Sequence, residues 1–264
     1  MSYRYLTVER CGAVEYVTLN RPDVRNAFNE HVIAELTAWA KAVHQDSAVR
    51  VVVLAGAGKV FSAGADAAWM AQMADYTRDD NVRDARAGAE MFLAINTVPA
   101  IVIGRIQGAA LGGGSGLAAV CDIVVADADA IFGFTETRLG ILPAMISPYV
   151  LQKIGASAAR ELFLTGMRFD ANKAKTIGLV HWIVAAAADL DEAVERFVRE
   201  SLSASPTAVA RAKALIPNVL GRPPADVIDI TADAIATQRV SPEGQEGLKA
   251  FLEKRQPTWN VPKS

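Results

Sequence analysis

The sequence predicts a layered α/β fold. Two stretches of the chain share one order, in which a short apolar strand leads into a glycine-rich turn and the turn opens a helix. Beyond residue 155 the pattern is mostly helical. The 264 residues, 52% of them apolar and 21% charged, suffice for one large core or for one core with a small appendage.

The first predicted elements are a strand and a helix. Alternation of apolar and polar residues predicts a strand over Val14–Leu19, which the segment 20–22 ends with a proline. Either Asn26 or Asn29 can cap a helix that extends to about His44. Four large apolar residues recur along it at helical spacing: Ile33, Leu36, Trp39 and Val43.

Two wholly apolar runs, 51–55 and 100–103, predict strands that are covered on both faces. A glycine-rich loop follows each of them, at 56–65 and at 107–116, and a helix is predicted to begin directly after or within the loop. A further helix is predicted over 79–96 and a further strand over 122–126.

The rest of the chain is predicted to be helical, with a hinge at 201–206, where serine and proline cluster. We therefore divide the chain into a core, 1–200, and a C-terminal helical region, 201–264. The predicted helices cover 155–166, 170–178, 189–203, 205–219 and 223–254, the last broken at Ser241.

Composition and charge exclude several classes of function. The net charge of −2 and the pI of about 6.0 give no global attraction to nucleic acid or to an anionic membrane. No apolar run approaches the roughly 18 residues of a membrane span, and the first residues lack a signal core. Two cysteines, Cys11 and Cys121, suit a reducing compartment, so we expect a cytoplasmic protein. The three histidines show no metal-ligand spacing.

The two glycine-rich turns are candidates for binding a negatively charged oxygen. Consecutive glycines at 112–114 let the backbone approach a ligand, and the first turn of a helix has unpaired N–H groups. The segment 63–66 has the same design, so each turn could direct one N–H group at a single carbonyl oxygen. Tight packing is the alternative. The glycine patterns of dinucleotide sites, P-loops and serine nucleophile elbows are absent, and Ser115 has no evident histidine partner.

These segments resemble the enoyl-CoA hydratase/isomerase (crotonase) family. The segments 61–66 and 107–123 are similar to its two oxyanion segments, and 132–140 is similar to its catalytic-carboxylate segment. Shorter matches extend the resemblance over nearly the whole chain, at 20–27, 164–166, 174–180 and 246–255.

The resemblance implies a spiral of ββα units followed by a helical trimerisation region, in a homotrimer or a dimer of trimers. It also implies an acyl-CoA thioester substrate, with no cofactor apart from the coenzyme A of the substrate. The oxyanion donors carried over are the N–H groups of Ala65 and Gly113, and the acid/base is Glu136. Further candidates for substrate binding surround these three: Arg25, Ala63, Gly64, Asp66, Ala67, Gly112, Gly116 and Thr135.

The neighbouring side chains each have two interpretations. Arg25 and Lys59 either bind CoA phosphates or are simply solvated, and Asp66 is expected to cap its helix. Arg138 either pairs with a distal substrate carboxylate or forms a surface salt bridge. Trp69 and the adjacent Met70 either wall the acyl pocket or belong to the core.

One position departs from the family pattern. Many hydratases have a second glutamate where this chain has Gly116, so a mechanism with two carboxyl groups cannot be carried over. The glycine either permits close helix packing or leaves room for a branched acyl group or a second water. For Glu136, apolar neighbours predict a pKa raised by partial desolvation: Phe132, Phe134, Leu139 and Ile141.

The segments 64–70, 142–148 and 241–247 are similar to bacterial 3-methylglutaconyl-CoA or isohexenylglutaconyl-CoA hydratases, which act in leucine and acyclic-terpene breakdown. The first hypothesis is therefore a hydratase for a branched or carboxylated 2-enoyl-CoA. The second is a Δ3,Δ2-enoyl-CoA isomerase that uses Glu136 alone. A third, of another class, is a protein that binds acyl-CoA without turnover.

Overall fold

The computed structural model describes residues 3–260 and contains two sheets. The strands are β1 Leu6–Cys11, β2 Val14–Leu19, β3 Val51–Gly56, β4 Ile101–Ile106, β5 Ala109–Leu111, β6 Ile123–Asp127, β7 Ile131–Gly133, β8 Arg168–Asp170 and β9 Trp182–Val184. The helices are α1 Glu30–Gln45, α2 Ala67–Met73, α3 Arg78–Asn96, α4 Gly113–Val120, α5 Ser147–Thr165, α6 Ala171–Thr176, α7 Leu190–Ser203, α8 Pro206–Val219, α9 Ile228–Val240 and α10 Pro242–Leu252.

The larger sheet has the strand order β1-β2-β3-β4-β6-β9, and the smaller has the order β5-β7-β8. Strand β1 is antiparallel to β2, and the remaining neighbours in the larger sheet are parallel. Strands β4 and β5 enter different sheets before α4, and β6 and β7 do the same before α5. This repetition is the spiral of ββα units that the resemblance implies.

Strand β3 is covered on both faces, as its apolar run predicts. Val52 and Leu54 belong to the main core, which lies under α1, α3, α4 and α5. Val51 and Val53 point to a smaller cluster with residues of α7. Because β3 and β4 are parallel, their carboxyl ends meet at one edge of the sheet, which places the two glycine-rich turns side by side.

Helix α1 is capped by Asn29, whose side chain accepts a hydrogen bond of 3.1 Å from the N–H of Val32. Asn26 is not the cap. Its buried side chain donates instead to the carbonyls of Ala57 and Val60. Long-range partners thus distinguish two asparagines that the local sequence leaves equivalent.

The structure differs from the predicted elements in its second half. The helix predicted at 155–166 is the end of the longer α5, which is interrupted where Gly155 takes a φ of 70°. The segment predicted as a helix from residue 170 begins with the end of β8. The break predicted at Ser241 is confirmed, since its side chain caps α10 with a 3.0 Å bond from the N–H of Gly244.

The junction between α7 and α8 lies at the predicted hinge, and Arg50 of the core binds it. The Arg50 guanidinium donates to the carbonyls of Leu202 and Ala204 at 2.7 and 2.6 Å. The division into two regions at residue 200 stays a prediction. Among the helices within residues 3–260, none combines the length and apolarity that a membrane span requires.

Candidate active site

The two glycine-rich turns lie against each other. Ser62 in the first turn donates its N–H to the carbonyl of Ala109 at 3.0 Å, and its carbonyl accepts from the N–H of Leu111 at 3.0 Å. A Cβ atom added to Gly64, whose φ is +89°, would lie 2.7 Å from the Leu111 carbonyl oxygen and 3.6 Å from the Gly113 nitrogen. Glycine is therefore required at residue 64 for this contact, and the structure brings the two predicted turns together.

Two backbone amides are available at this contact. The N–H of Phe28 donates to the carbonyl of Gly64, and the carbonyl of Phe28 accepts from the N–H of Asp66, both at 2.7 Å. Phe28 thus bonds to the residues on either side of Ala65 and leaves the N–H of Ala65 unused in this pairing. Gly113 is the first residue of α4 and has no helical acceptor for its own N–H. Within residues 3–260, neither of these two N–H groups donates a hydrogen bond to another protein group.

The carboxyl group of Glu136 lies beside the second turn. One oxygen, Oε1, is 3.4 Å from the position that a Cβ atom of Gly112 would take. The other, Oε2, is buried and has no hydrogen-bond partner among the described residues. Burial raises the pKa of the carboxyl group above its ordinary value of 4.5, which confirms the predicted direction. A buried oxygen without a partner is costly, so it marks a group that could serve a ligand.

The apolar surroundings of Glu136 differ in part from the prediction. Phe132 and Phe134 are fully buried before it, as expected. Leu139 and Ile141 are more than half exposed, at 61% and 53%, so they do not enclose the carboxyl group.

The second turn is held by Ser115, which is a structural residue. Its hydroxyl donates to the carbonyl of Ala110 at 2.6 Å and accepts from the N–H of Gly133 at 3.2 Å. A second bond joins the turn to Gly133, since the N–H of Gly112 donates to the Gly133 carbonyl at 2.8 Å. Strand β7 thus fixes the start of α4 relative to the segment that leads to Glu136.

Asp66 caps α2, as predicted, by accepting from the N–H of Ala68 at 2.8 Å. Its other oxygen forms an ion pair with Arg21 at 2.7 Å, and Arg21 also donates to the carbonyl of Ala27. Burial opposes ionisation of Asp66, but the hydrogen bonds from Arg21 and Ala68 outweigh it and lower the pKa. Sequence reasoning missed Arg21 as the partner, because the two residues are 45 positions apart.

Asn26 is the other residue that sequence reasoning missed. It holds a left-handed backbone conformation, with φ of 53°, and is 1% exposed. Its carbonyl accepts from the Ser62 hydroxyl at 2.9 Å, while its side chain ties the loop after β3. Asn26 therefore shapes the first turn. Its place in the family-like segment 20–27 was the available signal.

The remaining candidates lie at different depths. Arg25 is exposed beside the first turn, where its carbonyl accepts from the N–H of Ala63 at 2.9 Å. Ala67 and Lys59 are exposed, and Thr135 is half-buried just before Glu136.

Arg138 does not form the salt bridge that was one of its alternatives. Within the described part of the chain it donates to the carbonyl of Thr165 at 3.2 Å and has no ion pair. Trp69 is buried in the main core, whereas Met70 is half-buried.

The space next to Gly116 is filled. A Cβ atom on this glycine would lie 2.2 Å from Cγ2 of Ile146 and 3.1 Å from the Phe92 ring. The structure therefore shows the close-packing alternative. It leaves no room at this position for an acyl branch or a second water, and a substrate contact with Gly116 would require Ile146 to move.

The chain is similar to known proteins over nearly its whole length. The family model described as "Enoyl-CoA hydratase/isomerase" matches residues 9–262. A Rhizobium meliloti protein named "Probable enoyl-CoA hydratase" is 36% identical over 256 residues, which cover 97% of each chain. The crystal structure of an enoyl-CoA hydratase from Shewanella pealeana superimposes with a TM-score of 0.93 at 39% identity, over 97% of this chain and 96% of the other. AtuE of Pseudomonas aeruginosa gives 0.94 at 38% identity, over 98% and 100%.

Proposed function

The chain belongs to the enoyl-CoA hydratase/isomerase family, and from this premise we propose that it is a hydratase that adds water to the double bond of a 2-enoyl-CoA thioester. The observation that carries the proposal is the buried Oε2 of Glu136, which has no partner among the described residues. Its carboxyl group lies next to Gly112, the neighbour of the Gly113 amide.

The proposed oxyanion hole consists of the N–H groups of Ala65 and Gly113. When water attacks C3 of a 2-enoyl thioester, negative charge moves onto the thioester oxygen. Two donors that are already oriented stabilise this enolate, and the loss of one such donor typically costs about 3 kcal/mol. The contact between Gly64 and the second turn supports the proposal that both amides bind one oxygen.

Glu136 acts in the proposal as both base and acid. Its carboxylate takes a proton from the attacking water, whose oxygen bonds to C3, and then delivers a proton to C2 of the enolate. A raised pKa suits both steps, because it makes the carboxylate a stronger base than an ordinary glutamate and brings its pKa closer to neutral pH. Acid–base catalysis of this kind contributes roughly 10² to 10⁴ in rate.

The coenzyme A part of the substrate needs contacts for its phosphates. We assign this role to Arg25 and Lys59, which are exposed cations next to the first turn. We propose no cofactor beyond the coenzyme A of the substrate. Asp66, by contrast, supports the site through its cap and ion pair, which hold the turn that includes Ala65.

We further propose a cytoplasmic homotrimer or dimer of trimers. Support for assembly comes from the C-terminal helices, whose large apolar side chains are strongly exposed in the single chain. Val240, Phe251 and Leu252 are 77%, 80% and 78% exposed. Sedimentation of the purified protein measures the number of subunits.

For the acyl group we propose a methylglutaconyl-type substrate. Its support is the similarity of the segments 64–70, 142–148 and 241–247 to hydratases of that type. Gly116 adds no support, because Ile146 fills the space beside it. The test is a panel of straight, branched and carboxylated 2-enoyl-CoA esters, in which loss of the conjugated thioester absorbance reports hydration. The proposal expects the highest kcat/KM for the branched, carboxylated ester. A preference for short straight chains would contradict it.

Isomerisation of 3-enoyl-CoA to 2-enoyl-CoA is the second candidate function. One carboxyl group is enough to move a proton between C2 and C4, and the side chains beside Gly116 are apolar. The same absorbance rises when 3-enoyl-CoA is isomerised and falls when 2-enoyl-CoA is hydrated. An acyl-CoA binder without activity would show neither change.

A further inference from the structure

Ile146 connects the segment that begins at Glu136 to the helices beneath it. It directly precedes α5 and is 2% exposed. Its Cγ2 atom lies 2.2 Å from the Cβ position of Gly116 on α4, and the ring of Phe92 on α3 lies 3.1 Å from the same position. Ile146 is therefore seated where α3 and α4 meet.

The preceding residue, Met145, also lies close to a glycine, but it is 36% exposed. The sulfur of Met145 lies 2.7 Å from the position that a Cβ atom of Gly88 on α3 would take. Two consecutive side chains of one segment thus occupy two notches, each of which exists because the helix has a glycine there. A larger residue at Gly116 would collide with the buried Ile146, whereas at Gly88 the flexible end of the Met145 side chain could move aside.

The other end of the segment contacts the same helix. Oε1 of Glu136 lies 3.4 Å from the Cβ position of Gly112, and the N–H of Gly116 donates to the Gly112 carbonyl at 3.1 Å. One helical turn therefore lies under both Glu136 and Ile146. That turn also contains the amide of Gly113.

Between these two ends, the residues after Glu136 are anchored to the end of α5. The Thr137 hydroxyl donates to the carbonyl of Phe163 at 2.8 Å, and Arg138 donates to the carbonyl of Thr165 at 3.2 Å. Backbone bonds from the N–H groups of Gly140 and Ile141 to the carbonyls of Thr137 and Glu136, both of 3.2 Å, close the turn.

Leu139, Ile141 and Leu142 are 61%, 53% and 74% exposed. Pro143 is buried after them, and Ile146 is the next buried residue, which packs against Gly116 of α4.

We propose that Ile146 is a positioning residue, which docks the segment of Glu136 onto α4 and so fixes the carboxyl group relative to the Gly113 amide. The inference rests on the proposed role of Glu136. It concerns the geometry of the carboxyl group, which can be measured without a substrate.

The test compares Ile146→Ala and Ile146→Val with Ile154→Ala, which removes the same atoms from a buried residue two turns into α5. The first measurement is the titration of the Glu136 carboxyl carbon by ¹³C NMR in the protein alone, assigned with Glu136→Gln. Burial raises this pKa, and no charged neighbour among the described residues contributes to the rise. We expect the pKa to fall toward 4.5 in Ile146→Ala, to fall less in Ile146→Val, and to stay unchanged in Ile154→Ala.

The second measurement is the separation of kcat from KM for a 2-enoyl-CoA. A misplaced carboxyl group lowers kcat by about tenfold or more while KM stays within about threefold. If the wild type hydrates no enoyl-CoA, the proposed function fails and the titration alone decides. An unchanged Glu136 titration in Ile146→Ala, or the same change in Ile154→Ala, overturns the inference.

A double variant covers the case in which Ile146→Ala folds poorly. In Gly116→Ala/Ile146→Ala the new methyl group takes the place of Cγ2 of Ile146, while Cβ of residue 146 and the Phe92 ring stay 3.0 and 3.1 Å from it. We expect the melting temperature to recover in part, and the pKa of Glu136 to stay below its wild-type value. If Glu136 titrates in the double variant as in the wild type, Ile146 does not position it.

Discussion

The carboxyl group of Glu136 lies against Gly112, the residue directly before the helix whose first amide belongs to Gly113. The positive end of a helix dipole ordinarily favours a carboxylate. Here burial raises the pKa of Glu136 instead. Burial therefore opposes the effect of the dipole and favours the neutral form of this carboxyl group.

Replacing the carboxyl group tests its chemical role. Glu136→Gln keeps the shape of the side chain but cannot transfer the proton, so we expect turnover to fall by about a hundredfold or more. The Kd for a saturated acyl-CoA should stay within about threefold. Glu90→Gln, an exposed change on α3, is the matched control. Unchanged turnover in Glu136→Gln would remove this residue from the mechanism.

The raised pKa of Glu136 makes both rate and stability depend on pH. As a base, the group must be ionised, so kcat/KM should fall with decreasing pH through a value above 4.5. For stability the sign is the opposite. The folded state binds the proton more tightly than the unfolded state, so the stabilising effect is full below 4.5 and is lost as the pH rises through the folded pKa.

Thermal unfolding at two pH values measures this linkage. Glu136→Gln has no charge to bury, so it should melt at a higher temperature than the wild type at pH 8, and the difference should shrink at pH 4. An equal difference at both pH values would show that the ionised carboxyl group does not destabilise the fold.

The contact between the two turns depends on Gly64. In Gly64→Ala the new Cβ atom would lie 2.7 Å from the Leu111 carbonyl oxygen. The alanine would also have to adopt the φ of +89° that the glycine has. We expect a loss of about 1–3 kcal/mol in the free energy of unfolding and at least about a tenfold loss of kcat. Gly12→Ala is the control, because the alanine would also take a positive φ, +60°, but its Cβ atom would have no atom within 4 Å. It therefore measures the effect of backbone strain without a steric collision. Equal effects of the two changes on kcat would argue against the predicted contact.

The ion pair between Arg21 and Asp66 supports the first turn from below. Its side chains are 15% and 11% exposed, so Arg21→Met would leave a buried carboxylate without its partner, at a cost of about 3–5 kcal/mol. Arg10→Met breaks an exposed pair with Asp46 and should have a much smaller effect on the free energy of unfolding. Denaturant unfolding compares the two. A small effect of Arg21→Met would mean that water replaces the guanidinium.

The pKa of Asp66 is lowered in the fold, so its ionised form stabilises the protein above 3.8 and this contribution is lost as the pH falls through the folded pKa. The free energy of unfolding should therefore fall less on acidification in Arg21→Met than in the wild type. A wild-type pH dependence in the variant would show that Arg21 does not lower the pKa of Asp66.

The sequence predicts the parts of the fold that have strong local patterns. Strand β3 and the first half of β4 are apolar runs, and α1 has regular helical spacing. Strands β5, β7, β8 and β9 have three residues each, which is too short for any periodicity to emerge. Their pairing depends on residues far away in the chain.

The candidate site likewise contains residues that the local sequence predicts and residues that depend on distant parts of the chain. The glycines of both turns are recognisable because only local backbone geometry is needed to interpret them. The packing at Gly116 was one of two open alternatives, since its partner Ile146 is thirty positions away. The choice of Glu136 came from the family resemblance, because an isolated glutamate in a turn has no distinguishing pattern.

The most direct test of the account is the infrared carbonyl band of an enoyl-CoA that carries ¹³C at its thioester carbon, bound to Glu136→Gln so that it is not consumed. If the amides of Ala65 and Gly113 both donate to that oxygen, the band shifts to lower frequency than in solution and its displacement shrinks in Gly64→Ala/Glu136→Gln. A bound carbonyl that absorbs at its solution frequency would contradict the central claim.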